Sequence, residues 1–441
     1  MLRARSTFTA AACLLAAGAA AAADKPTDAE IAALAERFAG ASIAQRQDMH
    51  RNPELSNRET RTGALVAEHL KKLGIEVQTG IAHTGVVGIL KGGRPGPTIA
   101  VRADMDGLPV TETTDYPFKS TVRSTYLDKD VGVMHACGHD VHTAALLGTA
   151  SMLAEIRDRL PGTVMFIFQP AEEGVPAGER GGARMMVEDG IFAKIKPDAV
   201  IAFHTNGAPP DADGDDERLG TVAYSVGPAF AAATRWEATV KGRQAHGSTP
   251  HLGVDPIVTA SGIVMALQTI RSRILSPLSE NVVTVGIFRS GERHNIIPES
   301  AQLGGTIRTF DDETLATIEA RMRDIFEGHT KAAHATFELA FDTGHPMTVN
   351  QAELTAGLVP TLERILGKDR VRQAPPITGA EDFSYFAQVV PGFYFRLGVV
   401  PDGKASGGHH TPTFYAADES VPIAMRLMTS LVVDFLNAGT G

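Results

Sequence analysis

The chain has 441 residues, of which 43% are hydrophobic and 21% charged, with 44 Gly and 25 Pro. This is the balance of a folded globular protein and excludes disordered, collagenous and polytopic membrane classes. The length calls for at least two cores, a net charge of -10 speaks against nucleic acid as partner, and two cysteines, Cys13 and Cys137, cannot make a disulfide framework.

Residues 1–23 read as an export leader. Arg3 and Arg5 precede a mostly apolar stretch at 8–20, and Ala21, Ala22 and Ala23 supply small residues for cleavage before Asp24. The stretch is too short to span a bilayer comfortably, so no stable membrane span is expected, and the mature protein is expected to be periplasmic or secreted. Cys137 would then be a lone thiol in an oxidising compartment, a liability unless burial or a metal protects it.

Helical periodicity predicts helices at 28–49 and 60–73, the second closed by Gly74. β-Branched runs predict strands at 85–90, 98–103, 163–168 and 199–203, with helices at 139–160 and 182–189 between the later ones. This alternation implies an α/β layer with a largely parallel sheet. The acidic run DADGDDE at 211–217 reads as a solvated connector, because its glycine stands two places early for a calcium loop. The rhythm then changes: strand at 230–240, helix at 255–274, strands at 282–288 and 302–309, helix at 311–334, strand at 336–341. That β-α-β-β-α-β order is ferredoxin-like and complete in itself. A helix at 352–367, a strand at 392–397 and a helix at 420–436 follow. The expected organisation is a larger domain of residues 24–221 and 350–441 with a smaller second domain of 222–349 inserted into it.

Four segments carry chemistry. In MHACGHDVH at 134–142, Cys137 and His139 stand two apart ahead of a helix, a spacing that lets a thiolate and an imidazole reach one metal, although a buried structural thiol has the same look. In FQPAEEG, Glu172 and Glu173 follow a strand end, where consecutive side chains diverge. One carboxylate could then bind a metal while the other serves as general base and then acid. His204 closes the strand PDAVIAFH, and His409 and His410 lie on a Gly-rich loop. Asp104, Asp106, Cys137, His139, Glu172, Glu173 and His204 all fall beyond strand C-termini or at helix starts, the edge where open α/β sheets build sites.

RADMDGLPV, MHACGHDVHTA, FQPAEEG with GGARMMVEDG, AFH, AHGSTPHLGVDPI, GAEDFSYF and HHTPTF occur in this order. Together they make the chain resemble the co-catalytic metallopeptidases that include aminoacylases and carboxypeptidases, in particular the amidohydrolase branch of hippurate hydrolase and the plant indoleacetyl-amino-acid hydrolases. The resemblance spans nearly all of the mature chain. It implies two divalent metal ions (Zn, Mn, Co or Ni) held by Cys137, His139, Glu173, His204 and His410, with Glu172 as acid/base and Asp106 orienting a ligand. His410 is preferred to His409 because it keeps the H-x-P spacing. The resemblance further implies that His246 steadies the substrate carbonyl or its oxyanion, that Asn295 and Arg308 hold a substrate carboxylate, and that the inserted domain forms a homodimer in which some lid residues come from the neighbouring subunit. A guanidinium suits a carboxylate through its bidentate fork. The chain departs from the branch at Val141, Gly247, Ser248 and the charged run Glu292, Arg293, His294, and it adds a polar segment, TVRSTYLDKDVGV, before the cysteine cluster. These departures touch the pocket walls, which decide the acyl group.

The implied activity is hydrolysis of the amide of N-acyl amino acids or related small carboxylate-bearing amides, with carboxypeptidase or dipeptidase action on small peptides as the alternative. A thiol mechanism would instead use Cys137 as nucleophile with His139 or His204 as base. A periplasmic binding protein without turnover would use only the cleft between the domains.

Overall fold

The computed structural model describes residues 25–207 and 216–438. The leader read at 1–23 lies outside them, as does most of the acidic connector, residues 211–215. The first described helix, Asp28–Arg51, starts on a reciprocal cap in which Thr27 Oγ1 accepts from Glu30 N and the Glu30 carboxylate accepts from Thr27 N.

The larger body is built on an eight-stranded sheet. Its order is Glu76–Ile81, Gly85–Lys91, Pro161–Gln169, Arg94–Asp104, Ala199–Asn206, Gly392–Gly398, Val222–Tyr224 and Val371–Gln373. The four strands from Pro161–Gln169 to Gly392–Gly398 run parallel to one another, and antiparallel pairings lie to either side of them. Central strands such as Pro161–Gln169 are buried along nearly their whole length, as a sheet covered on both faces requires. One face is covered by Asp28–Arg51, His139–Glu155, Ala352–Leu366 and Ser420–Ala438, which share a core with Phe166, Ile201 and Phe395. The other face carries Phe383, Phe386 and Tyr394 with Gly182–Glu188. Each such buried side chain contributes about 1.5–3 kcal/mol relative to exposure. Ser420–Ala438 is long and apolar enough to cross a membrane, but it is packed into this core.

The second body is a four-stranded antiparallel sheet in the order Asn281–Ser290, Ser300–Thr309, Ala232–Lys241, Thr336–His345. Helices Pro256–Thr269 and Asp312–Ala332 cover one face and close a separate core around Trp236, Met322 and Phe326. The chain crosses between the bodies along the short ladder of Gly227–Phe230 with Thr348–Asn350. Asn281–Ser290 is an edge strand that exposes Ile287 and Phe288, and the neighbouring helix exposes Val258 and Met265.

Some elements differ from the sequence reading. The helix expected at 139–160 ends at Glu155 and gives way to a tight turn at Arg157–Arg159. The one expected at 255–274 loosens into a π-helical turn over Ile270–Ile274. The added polar segment folds into a hairpin, Arg123–Tyr126 with Lys129–Gly132. Its two-residue turn, Leu127-Asp128, takes positive φ at both positions, a geometry usually signalled by Asn or Gly.

Candidate metal centre

Cys137 and His139 are aimed by the residue between them. Gly138 has φ +91°, and a Cβ there would stand 2.3 Å from Thr205 Oγ1, so the turn admits only glycine. Thr205 Oγ1 in turn donates to the Cys137 carbonyl at 2.9 Å. His139 opens the buried helix with Nδ1 2.9 Å from the Asp106 carbonyl and 3.2 Å from Asp106 Oδ1. Both partners are acceptors, so in the neutral ring Nδ1 carries the proton and Nε2 presents its lone pair. That Nε2 is buried and has no hydrogen-bond partner among the described residues. His204 repeats the device: Nδ1 donates to the Thr205 carbonyl at 2.6 Å, which leaves Nε2 facing Cys137 Sγ at 3.3 Å.

Glu172 and Glu173 are held from behind by one carboxylate. Asp106 Oδ1 accepts the Glu172 N–H at 3.2 Å, and Oδ2 accepts the Glu173 N–H at 3.1 Å and the Ser56 hydroxyl at 2.7 Å. The preceding Ala171 is forced to φ +52°, and Glu59 Oε1 accepts its N–H at 2.9 Å. The two side chains thereby diverge around His139 Nε2, with Glu172 Oε2 at 3.8 Å and Glu173 Oε1 at 3.9 Å. Glu173 Oε1 also lies 3.0 Å from His410 Nε2 without an aligned hydrogen bond. His410 reaches this position from a left-handed backbone, φ +60°, fixed by its own N–H to the Ala136 carbonyl at 2.8 Å.

The structure distinguishes the remaining histidines. His142 donates from Nδ1 to Asp104 at 2.6 Å and accepts the Thr205 N–H on Nε2 at 2.8 Å, so neither nitrogen is free for a metal. His409 donates from Nε2 to the Thr205 carbonyl at 2.9 Å, the carbonyl that His204 Nδ1 also uses, so this nitrogen is not free for a metal. Cys137, His139, Glu172, Glu173, His204 and His410 remain, and their donor atoms fall into overlapping groups whose members lie within 4.8 Å of one another. Buried lone pairs without partners are costly unless a cation collects them. Burial, followed by Glu173 and Glu172, pushes the Cys137 thiol well up. A free nucleophilic thiolate is therefore disfavoured here, whereas a metal would stabilise one. The mixed S, N and O donor set suits a divalent transition metal.

Behind the cluster runs a buried ionic network that the sequence reading did not find. Arg102 is fully buried and bonds Asp104 at 2.7 Å, Glu381 at 2.9 Å, Asp382 at 3.3 Å and Gln169 Oε1 at 2.8 Å. Tyr394 donates to Glu381 Oε2 at 2.6 Å. A signal existed: an Arg between Val101 and Ala103 in an apolar strand is a buried charge that requires carboxylates. Asp104, Glu172 and Glu381 approach within 4.8 Å of one another. Burial, then Glu381 and Glu173, raises the Glu172 carboxyl well above the usual carboxylate range.

The sites proposed on the inserted body are placed differently. His246 and Asn295 are exposed neighbours, joined by the Gly247 N–H to the Asn295 carbonyl at 2.8 Å. The Ser248 hydroxyl lies 2.7 Å from His246 Nδ1, which also accepts the Ser248 N–H. Their described hydrogen bonds stay within this body, and neither joins the donor cluster. Arg308 is half-buried on Ser300–Thr309, and burial lowers its pKa.

Residues 100–434 match the model of peptidase family M20/M25/M40. Thermostable carboxypeptidase 2 of Saccharolobus solfataricus is 39% identical over 381 residues, covering 86% of this chain and 91% of the relative. The N-acetyl-L-cysteine deacetylase of Bacillus subtilis is 38% identical over 374 residues (84% and 82% covered), and the IAA-amino acid hydrolase ILR1-like 2 of Arabidopsis thaliana is 34% identical over 395 (89% and 84%). Among solved structures, the Bacillus subtilis YXEP protein, described as a dinuclear metal binding peptidase from the M20 family, superposes with TM-score 0.75 at 32% identity, covering 91% of this chain and 99% of that one. The chain belongs to peptidase family M20/M25/M40 and is a hydrolase acting on C–N bonds.

Proposed function

We propose that the protein is a two-metal amidohydrolase that cleaves N-acyl amino acids or related small amides bearing a free carboxylate. The observation that carries this reading is the convergence of the Cys137, His139, Glu173, His204 and His410 donors beside Glu172, whose carboxyl is raised above the usual carboxylate range by burial and then by Glu381 and Glu173. The five donors would hold two divalent ions of the Zn, Mn, Co or Ni class, and the YXEP protein, itself dinuclear, supports the number. Such ions lower the pKa of water and polarise an amide carbonyl.

The chain's own residues divide the remaining work. Asp106 fixes the His139 tautomer and sets the angle between Glu172 and Glu173. Glu172, whose pKa is raised by burial and its acidic neighbours, takes the proton of the attacking water on its ionised carboxylate and returns it to the departing amine nitrogen. Arg308 offers a guanidinium to the free carboxylate of the substrate. His246, with Nδ1 accepting from Ser248, has its proton on Nε2 and can donate it to the developing oxyanion, with Asn295 beside it.

His246 and Asn295 do not reach the cluster of their own chain, which supports their delivery to a neighbouring subunit. The exposed edge strand Asn281–Ser290, with Ile287 and Phe288, and the helix bearing Val258 and Met265 suit a homodimer contact. The export leader supports a periplasmic or secreted location. The relatives named carboxypeptidases favour a second reading in which the acyl half is an aminoacyl group and the bond is a peptide. A hydrolysis panel of N-acyl amino acids and dipeptides, run with each metal in turn, tests both. Turnover of the acyl compounds with rejection of dipeptides supports the first, the converse supports the second, and no turnover of either overturns both.

A further inference from the structure

The lid sheet contains a break in its own alternation. Along Thr336–His345, Phe337, Leu339 and Phe341 pack toward the helices of the lid core. An unbroken strand would carry His345 to that same face, because side chains alternate with a period of two. The ladder instead slips: Thr234 pairs with Thr343, Ala233 pairs with His345, and Gly344 is the extra residue. His345 is thereby moved to the opposite face of the sheet, the face of Ala233. On its other side Ala233 pairs with Arg308, so the row reads Arg308, Ala233, His345, with only a methyl group between the two polar side chains.

The bulge is tied to the floor of the cleft. The Tyr385 hydroxyl donates to the Gly344 carbonyl at 2.5 Å, and three residues past His345 the Thr348 hydroxyl donates to the Glu381 carbonyl at 3.1 Å. The Glu381 side chain belongs to the same acidic group as Glu172. His345 therefore stands where the lid sheet meets the reaction centre. Its Nδ1 is sealed from solvent and has no hydrogen-bond partner among the described residues. Burying an unpartnered lone pair costs less than burying an unpartnered N–H, which places the proton of the neutral ring on Nε2. Burial keeps the ring from charging, with Glu381 opposing this and Arg308 adding to it. One neutral N–H donor thus stands beside one guanidinium, two strands apart, or about 10 Å between backbones.

We propose that His345 is a specificity-determining residue: while Arg308 holds the α-carboxylate, the His345 imidazole donates to a second acceptor on the amino-acid side chain, a carboxylate or carboxamide oxygen. N-acyl derivatives of glutamate or glutamine are then preferred over apolar ones of equal length. The inference rests on the amidohydrolase reading above for the ligand of Arg308.

The test compares metal-loaded wild type with His345→Phe and His345→Gln on N-acetylglutamate, N-acetylglutamine and N-acetylnorleucine. The ratio of kcat/KM for a polar substrate to that for the norleucine derivative is expected to fall about 10- to 100-fold in His345→Phe, and His345→Gln, which keeps a donor, recovers part of it. A larger fall for N-acetylglutamate than for N-acetylglutamine identifies the carboxylate as the acceptor, and the reverse identifies the carboxamide. An unchanged ratio in both variants, with melting temperatures like wild type, overturns the proposal. Calorimetric binding of the same compounds to Glu172→Gln, with and without His345→Phe, separates the two readings. A His345-dependent preference in binding without wild-type turnover sinks the amidohydrolase reading and leaves this one standing. Turnover without any His345 dependence does the opposite.

Discussion

Asp106 and His139 form the pair on which the donor cluster turns: the imidazole Nδ1 lies 2.9 Å from the Asp106 carbonyl and 3.2 Å from its Oδ1, so Nε2 is left bare and buried. The same carboxylate also accepts the main-chain N–H groups of Glu172 and Glu173. One side chain thus sets the tautomer of a proposed ligand and the position of the proposed base.

Replacing Asp106 by Ala should therefore weaken metal binding by about 10- to 100-fold, the usual cost of losing a partner behind a ligating histidine. Titration against a competing chelator measures it. An unchanged affinity would mean that backbone contacts alone orient His139.

Glu172→Gln should keep its metal and lose about 10²- to 10⁴-fold in kcat, the range of a lost general acid/base. Metal analysis of the purified variant beside its turnover checks both halves. Metal loss would recast Glu172 as a ligand, and normal turnover would remove it from proton transfer.

Gly138→Ala is expected to lower both stability and metal occupancy. The new Cβ would press on Thr205 Oγ1 in a left-handed backbone, and the combined penalty is about 2 kcal/mol or more. Denaturant melts of the metal-free protein, set beside metal content, separate the folding effect from the site effect.

A pH dependence follows from Glu59, which accepts from Asn57, Ala171 and Thr84 beneath the site. Burial, then Asp106, pushes its pKa up from 4.5 to about 8. The folded state then binds a proton that the unfolded state has released, so between these values this group makes stability fall as pH rises. Glu59→Gln should flatten that decline in chelator-treated protein. A slope identical to wild type would show that Glu59 titrates normally.

If His246 acts on the neighbouring subunit, Glu172→Gln and His246→Ala homodimers should each be inactive, while a mixture allowed to exchange subunits recovers about a quarter of wild-type activity. Exchange without recovery would return His246 to its own chain.

Much of this could be read in the sequence, for identifiable reasons. Cys137 and His139, like Glu172 and Glu173, are neighbours in the chain, so local spacing reported on them. The parallel strands announced themselves as apolar runs, whereas the edge strand Glu76–Ile81 is largely exposed and shows no alternation to detect. What escaped depends on distant pairing. Glu381 and Asp382 meet Arg102 across nearly 280 positions, and His142 differs from His139 only in what Asp104 and Thr205 do to its nitrogens. The bulge that turns His345 requires the register of two strands about a hundred residues apart, and no local pattern encodes it.

Removal and return of metal tests the central claim most directly. After exhaustive chelation, hydrolysis of an N-acyl amino acid should vanish with Cys137 still reduced, and it should return in proportion to added Zn, Mn, Co or Ni, levelling at about two ions per chain. Full turnover by metal-free protein, abolished by alkylating Cys137, would contradict the account and establish the thiol as nucleophile.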